Sequence, residues 1–237
     1  GRPATLVSGR LYAETMMLAE RLLRRRWDLF LDFHHLFAWR HALKPLMVAI
    51  LSRARRRVGF GPGFFLTDSV ADPDDRPMSE RNGAILAPLG LEPAGVDPVM
   101  QVSARDQEWV DALLDAARLP AGRLVAVSPG SSRPVTRWGA ARFRETAARL
   151  SHHGPVVAVG SADERPLCEE ACGGGANLAG RTTVGRLAAL LKRCAILVSN
   201  DSGPLHMAYA VGTPVVGIFR PLERRRWGGY RDATRFR

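Results

Sequence analysis

The chain has 237 residues, of which 46% are hydrophobic and 24% charged, a composition that excludes an intrinsically disordered protein and suits one large domain or two small ones. The formal net charge of +11 suggests a polyanionic partner, but only two of the 34 basic residues are lysines, and we attribute the arginine bias to genome composition. Because the sequence contains no RNP-like aromatic motif, zinc finger or basic recognition helix, we do not predict a nucleic-acid partner.

The sequence also disfavours membrane spans and metal sites. No stretch reaches the roughly 18 uninterrupted apolar residues that a spanning helix needs. Cys168, Cys172 and Cys194 are an odd number of cysteines without a second Cys/His pair of zinc spacing, which favours thiols in a reducing compartment such as the cytoplasm. Asp72-Pro73-Asp74 resembles a metal-binding DxD sequence only superficially, because it lies in a polar turn. We therefore predict neither a metal nor a cofactor.

The first half of the chain alternates helical and strand-like patterns. After residue 66, Asp, Pro and Gly predominate up to residue 98, which predicts a loop with short elements. The elements predicted before this loop are a helix over 11–26, a strand over 27–33, a helix interrupted by Pro45 over 36–52 and a strand over 57–60.

A domain boundary is predicted near residue 120. Ser103 is a suitable N-cap for a helix over 104–119 that has apolar residues on one face. Pro120-Ala121-Gly122 ends this helix, and a different pattern begins after it. We therefore divide the chain into domains of residues 1–119 and 120–237.

In the second half, strands and helices alternate strictly. Strands such as 195–198 are continuously apolar, which indicates burial on both faces of a sheet. Strands separated by helices predict right-handed βαβ units and therefore a doubly wound α/β fold with a parallel sheet. The predicted strands are 124–128, 156–160, 177–179, 195–199 and 215–219, and the predicted helices are 140–150, 162–172, 184–194 and 204–211.

The loop predicted after residue 199 has the features of an anion site. Gly203 lets a ligand approach the backbone, Pro204 suits the first helical turn, and the unpaired amides at the positive end of the helix dipole favour a phosphate. The alternative is an ordinary capped helix, with Ser202 as N-cap and Asp201 beside the dipole. His206, one turn into the helix, either contacts the ligand or is a core histidine.

A second loop of this kind is predicted after residue 128. Gly130 permits a tight turn, Ser131 and Ser132 offer hydroxyls, and Arg137 can bind phosphate oxygens with two donors. In a doubly wound sheet both loops line one crevice, so together they suggest a diphosphate. The sequence contains neither GxGxxG nor GxxxxGK(S/T), which disfavours a dinucleotide oxidoreductase or a P-loop protein.

Two acidic residues follow the strand predicted to end at residue 160. Asp163 and Glu164 either hydrogen-bond ribose hydroxyls, as acidic residues do in nucleotide sites, or form an ordinary acidic first helical turn. The sequence contains no recognisable Ser/His/Asp arrangement for nucleophilic catalysis.

Four separated motifs occur in order in the second half. They are Val127-Ser128-Pro129-Gly130-Ser131-Ser132 with Arg137-Trp138, Asn177-Leu178-Ala179-Gly180, Ser199-Asn200-Asp201-Ser202-Gly203-Pro204-Leu205-His206-Met207-Ala208, and Gly212-Thr213-Pro214-Val215-Val216. In order and spacing these motifs resemble those of the lipopolysaccharide heptosyltransferases of glycosyltransferase family 9. Residues 26–33 and 57–60 resemble the "YDLVIDL" and "RVGF" segments of that family more weakly.

The resemblance implies a GT-B architecture, in which two Rossmann-like domains face a cleft. Residues 1–119 would form an acceptor-side domain and residues 120–237 the nucleotide-sugar-binding domain. The implied reaction transfers a heptose from ADP-heptose to the anionic inner core of lipopolysaccharide, with inversion at the anomeric carbon and without an obligatory metal. It would take place at the cytoplasmic face of the inner membrane, with which the protein would associate peripherally.

The resemblance also implies roles for individual residues. Asp201 is expected at the sugar hydroxyls, Asp163 or Glu164 at the ribose, and the Thr182 region at the adenine. The implied donor site consists of the diphosphate-binding residues Ser131, Ser132, Arg137, Ser202 and Gly203, and of the sugar- and nucleoside-binding residues Asp201, His206, Asp163, Glu164 and Thr182.

The sequence departs from the family pattern at three places. The general base of the family is an aspartate in a glycine-containing loop that belongs before Gly1, so the resemblance assigns no catalytic base in this chain. Arg220 stands where family members have a glycine, and the chain stops at Arg237, before the terminal helices of the family. We expect the chain to be a fragment truncated at both ends.

Two other functions are compatible with the same motifs. One is another GT-B enzyme with a uridine donor, either a UDP-sugar transferase or an epimerase. The other is a non-catalytic nucleotide-binding remnant. A preference for ADP over UDP distinguishes the heptosyltransferase from the first alternative.

Overall fold

The computed structural model describes residues 20–34, 39–61, 64–73, 76–92 and 97–228. The chain forms two compact units, Gly1–Val96 and Asp97–Arg237, each with a parallel sheet. Most of the helix predicted over 11–26 lies outside the described residues. Within the described part of the chain, no helix has the length and apolar character needed to cross a membrane.

The first unit contains a parallel sheet with the strand order β1-β2-β3 among its described residues. Val58, Phe60 and Ile85 form a buried cluster in this unit. The predicted strands and the second predicted helix are confirmed in type, and Pro45 lies inside that helix without ending it. The described elements are β1 (Leu29–Asp32), α1 (Trp39–Ser52), β2 (Arg56–Phe60), β3 (Asp68–Val70) and α2 (Met78–Ala84).

A buried ion pair lies in the first unit. The Arg81 side chain in α2 is 1% exposed, and its Nε donates to Oδ1 of Asp72 at 2.8 Å while its Nη2 contacts Oδ2 of the same carboxylate. Because a buried guanidinium needs a counter-charge, the carboxylate of the DxD-like turn has a structural role.

The second unit contains a five-stranded parallel sheet with the order β6-β5-β4-β7-β8. Strands β5 and β6 follow one another on one side of β4, and β7 and β8 follow on its other side. The strand order therefore reverses between β4 and β7. This reversal is the topological switch point, where doubly wound sheets bind ligands. The elements of the unit are α3 (Ala104–Ala116), β4 (Leu124–Ser128), α4 (Ala140–Leu150), β5 (Val156–Ala158), α5 (Arg165–Cys172), β6 (Ala176–Asn177), α6 (Val184–Lys192), β7 (Cys194–Asn200), α7 (Gly203–Ala210), β8 (Val215–Ile218) and α8 (Pro221–Trp227).

Helices cover both faces of this sheet, as the apolar strands predict. All five residues of β4 are buried, and alternate residues belong to opposite layers: Leu124 packs with α3, α6 and α7, and Val125 packs with α4 and α5. The predicted alternation of strands and helices is therefore confirmed, with bounds that differ by a few residues. Helix α8 was not predicted, because its arginine-rich sequence lacks apolar periodicity.

Helix α3 belongs to the second unit rather than to the first, which moves the division of the chain from residues 119/120 to residues 96/97. Val110 and Leu114 of α3 lie in the main core cluster of the second unit. Asp111 accepts two hydrogen bonds from Arg193, at 2.8 and 2.7 Å, and this contact lowers the pKa of the Asp111 carboxyl. The predicted boundary followed the loop after the helix, but packing of the apolar face decides where the helix docks.

The three cysteines are buried thiols. Cys168 and Cys172 lie in α5 and pack between this helix and the sheet. Burial raises the pKa of Cys168 to about 12, with smaller contributions from the charges of Glu164 and Cys172, and burial alone raises the pKa of Cys194 to about 12. Because the thiolate is the metal-binding and nucleophilic form, these values fit structural thiols.

Candidate functional site

The loops that follow β4 and β7 meet at the switch point, and a buried asparagine joins them. Asn200, the last residue of β7, is fully buried. Its Oδ1 accepts from the backbone N–H of Trp138 at 3.1 Å, and its Nδ2 donates to the carbonyl oxygen of Pro129 at 2.7 Å. The sequence motifs include Asn200 without giving it a role, although a polar side chain at the end of an apolar strand is a signal for one.

A cleft of about 410 Å³ opens beside these loops. It is lined by residues from the loops after β4, β5, β6 and β7, as expected for a site at the carboxyl ends of parallel strands. Apolar contacts on one wall come from Val184, Leu187 and Met207. Six of the ten predicted donor-site residues line the cleft: Ser131, Ser132, Glu164, Thr182, Ser202 and Gly203.

The loop after β4 is held by its own side chains. Ser131 is buried, and its hydroxyl forms a hydrogen bond with the hydroxyl of Thr136. Arg137 does not line the cleft; its Nε and Nη2 donate to the carbonyl oxygen of Ser131 at 3.2 and 2.9 Å. The guanidinium therefore supports a residue of the cleft wall, an arrangement that sequence spacing did not predict.

Glu164 connects the loops after β4 and β5. Its Oε2 accepts from the backbone N–H of Ser161 at 2.9 Å, which completes a capping box, and its Oε1 lies 3.9 Å from Nη2 of Arg137. A Cβ atom on Gly130 would lie 2.1 Å from Glu164 Oε1, so the close approach of this carboxylate depends on glycine. Of the two acidic candidates, Glu164 lines the cleft and Asp163 does not.

The amino end of α7 forms another part of the cleft wall. Ser202 occupies the N-cap position, but its side chain makes no capping hydrogen bond, and its Oγ lies 3.3 Å from Oγ of Ser199. A Cβ atom on Gly203 would contact nothing within 4 Å, so this end of the helix is open. The ordinary side-chain cap considered as the alternative is therefore not formed, and the amide end faces the cleft.

Asp201 and His206 lie beside the cleft and do not line it. Nε2 of His206 is 3.5 Å from Oδ1 of Asp201, and both side chains are partly exposed. The backbone N–H of Asp201 donates to the carbonyl oxygen of Ile218 at 3.1 Å, which fixes the loop against β8. Across the described ranges, we find no group of three or more His, Cys, Asp or Glu side chains placed to hold a metal ion.

Comparison with known proteins agrees with this architecture. The family described as glycosyltransferase family 9 (heptosyltransferase) matches residues 15–236, nearly the whole chain. The chain belongs to glycosyltransferase family 9. The resemblance carried by the four motifs is thereby confirmed.

Two relatives support the same family. Lipopolysaccharide heptosyltransferase 2 of Salmonella typhimurium is 30% identical over 224 residues, which cover 86% of this chain and 62% of the relative. The lipopolysaccharide core heptosyltransferase OpsX of Haemophilus influenzae is 25% identical over 205 residues, which cover 79% of this chain and 57% of the relative. The chain thus spans about three fifths of the length of these two relatives.

The fold is also that of solved family members. The structure of ADP-heptose lipopolysaccharide heptosyltransferase II of E. coli matches with a TM-score of 0.65 and 22% identity, over 91% of this chain and 69% of that protein. This likeness confirms the predicted α/β, GT-B-like fold class.

Proposed function

We propose that this glycosyltransferase family 9 protein transfers heptose from ADP-heptose to the inner core of lipopolysaccharide. The observation that supports the proposal most is the convergence of two anion-suited loops at the switch point of the second unit. One loop supplies the hydroxyls of Ser131 and Ser132, and the other supplies the open amide end of α7 at Gly203. A diphosphate suits such a site because its oxygens can accept hydrogen bonds from these hydroxyls and from the backbone N–H of Gly203.

The proposed donor lies with its diphosphate between these loops. Glu164 is the acidic residue placed to accept from the ribose hydroxyls, and Thr182 with the apolar wall at Leu187 receives the adenine. Arg137 holds the Ser131 carbonyl and adds positive charge near the diphosphate. Positive charge and the amino end of α7 stabilise the departing ADP, so the reaction needs no obligatory metal. An acceptor hydroxyl that forms its bond to the anomeric carbon on the face opposite the breaking bond to ADP gives inversion.

The proposed acceptor is the anionic lipopolysaccharide core, and the net charge of +11 is favourable to such a partner.

We place the reaction at the cytoplasmic face of the inner membrane, with peripheral association of the protein. Leu43, Met47 and Ile50 of α1 are exposed at helical spacing, and the exposed Arg53 and Arg55 follow them, a combination typical of surfaces that contact anionic lipid. Failure of the protein to cosediment with anionic vesicles would contradict this association.

Substitution of Arg137 by alanine tests the donor site. We expect the affinity for ADP to fall by about 1.5–3 kcal/mol, because the support of the Ser131 carbonyl and a positive charge near the diphosphate are both lost. Calorimetric titration of the variant and of the unchanged chain measures this difference. Arg149→Ala is the matched control, since it removes the same charge from an exposed position on α4. Equal ADP affinities of the Arg137 variant and the unchanged protein would remove Arg137 from the site.

A further inference from the structure

We propose that Trp227 is a sugar-binding residue, whose indole forms, together with Asp201 and His206, a surface for the sugar ring of the donor. This inference rests on the proposed function, because it adds a contact to the same donor site. Neither the sequence motifs nor the predicted roles included Trp227. The structure brings it to the site through α8, a helix that the sequence did not predict.

Three side chains from consecutive parts of the chain form this surface. Asp201 follows β7, His206 lies in α7, and Trp227 is the last residue of α8. The ring centroids of Trp227 and His206 are 6.0 Å apart with an angle of 56° between the planes. His206 in turn contacts the Asp201 carboxylate at 3.5 Å, so the aromatic ring, the imidazole and the carboxylate are contiguous.

The surface is open and borders the diphosphate loops. The Trp227 residue is 38% exposed, and the side chains of His206 and Asp201 are 32% and 15% exposed, so a ligand can reach all three. Asp201 immediately precedes Ser202, and His206 immediately precedes Met207, both of which line the cleft. A sugar attached to a diphosphate at the amino end of α7 therefore lies near this surface.

An ion pair connects α8 to the diphosphate-binding loop. Nη2 of Arg133, the residue after Ser132, donates to Oε1 of Glu223 in α8 at 3.1 Å. The helix that bears Trp227 is thereby linked to the loop after β4 as well as to β8, which precedes it directly. The position of the indole is thus coupled to the position of the diphosphate site.

The chemistry of the three groups suits a carbohydrate. A sugar ring has an apolar C–H face and a rim of hydroxyls, so it is recognised by an aromatic face that covers the C–H groups and by polar groups that bind the hydroxyls. The indole of Trp227 offers the aromatic face. The carboxylate of Asp201 accepts hydrogen bonds from hydroxyls, and the imidazole of His206 can donate or accept.

Substitution of Trp227 by leucine tests the inference. The affinities of the unchanged chain and of the Trp227→Leu variant for ADP and for ADP-heptose are measured by calorimetric titration. We expect the affinity for ADP-heptose to fall about tenfold, while the affinity for ADP changes less than about twofold, because only the sugar contacts the indole. Trp227→Phe keeps an aromatic face and is expected to show a smaller loss of ADP-heptose affinity.

Trp109→Leu is the matched control. It removes an indole from α3 of the same unit, where Trp109 stacks on Arg186 with 4.3 Å between the guanidinium carbon and the ring centroid. This variant is expected to bind ADP and ADP-heptose as the unchanged chain does. If Trp227→Leu unfolds, the comparison of Trp227→Phe with the unchanged chain decides, since it preserves the packing of a large ring.

The outcomes separate this inference from the proposed function. If the unchanged chain binds ADP, and Trp227→Leu binds ADP-heptose as tightly as the unchanged chain does, the inference is wrong and the proposed donor site stands. An equal loss for ADP and ADP-heptose also overturns it, because that pattern indicates a general effect on the fold. If the unchanged, folded chain binds neither ligand, the proposed function fails and the inference falls with it.

Discussion

Asn200→Ala is expected to lower the free energy of unfolding of the second unit by about 2–4 kcal/mol and to weaken ADP binding at least about tenfold. The substitution leaves the N–H of Trp138 and the carbonyl oxygen of Pro129 without their buried partner. These two groups fix the ends of the loop that contains Ser131 and Ser132. Urea unfolding measures the first effect, and calorimetric titration with ADP measures the second.

Two variants control for this result. Asn177→Ala makes the same substitution at a partly exposed position of the same unit, where the amide donates to the carbonyl oxygen of Arg165 and to Glu169, and it is expected to cost about 1 kcal/mol or less. Asn200→Asp keeps an acceptor for Trp138, but it replaces the donor to Pro129 by an oxygen and adds a charge at a buried position, so it is expected to destabilise the unit at least as much as Asn200→Ala. Retention of both stability and ADP affinity in Asn200→Ala would contradict the role of this residue as the link between the loops.

Asp72→Asn is expected to destabilise the first unit by about 3 kcal/mol, since it removes the carboxylate charge that contacts the buried guanidinium of Arg81. The amide has the shape of the carboxylate but replaces one acceptor oxygen by an NH2 donor, so the change removes the charge and one of the two hydrogen bonds from Arg81. Urea unfolding followed by circular dichroism measures the loss. Glu80→Gln is the matched control, because it neutralises a carboxylate in an exposed pair that lies 3.9 Å from Arg76, and it is expected to change stability by about 0.5 kcal/mol at most. If both substitutions lowered the free energy of unfolding equally, burial of Arg81 would not explain the loss of stability.

The regular part of the fold was predictable from the sequence because the apolar strands of the second unit alternate with amphipathic helices. The strands and helices from β4 to β8 follow from this pattern, and so does the placement of the two loops that we propose bind the diphosphate. Strand β3 was not predicted, since it has three residues and none of them is buried. The domain boundary was misplaced because local signals mark where α3 ends, whereas its docking depends on long-range contacts such as that between Asp111 and Arg193.

The candidate site was predictable in composition and less so in geometry. Glycine, serine and proline at strand ends indicated the loops that we propose bind an anion, and the structure brings Ser131 and Gly203 to one cleft. The sequence could not show that Arg137 donates to the Ser131 carbonyl, because a guanidinium can reach many partners from one backbone position. The roles of Asn200 and Trp227 were missed for a similar reason, since these roles arise from contacts with residues far away in the chain.

We propose that the second unit binds the ADP part of its sugar donor at the switch point. The most direct test is calorimetric titration of the whole chain with ADP and with UDP. We expect saturable binding of ADP and binding of UDP at least about tenfold weaker, a difference of roughly 1.4 kcal/mol. A folded chain that binds neither nucleotide, or that prefers UDP, would contradict it.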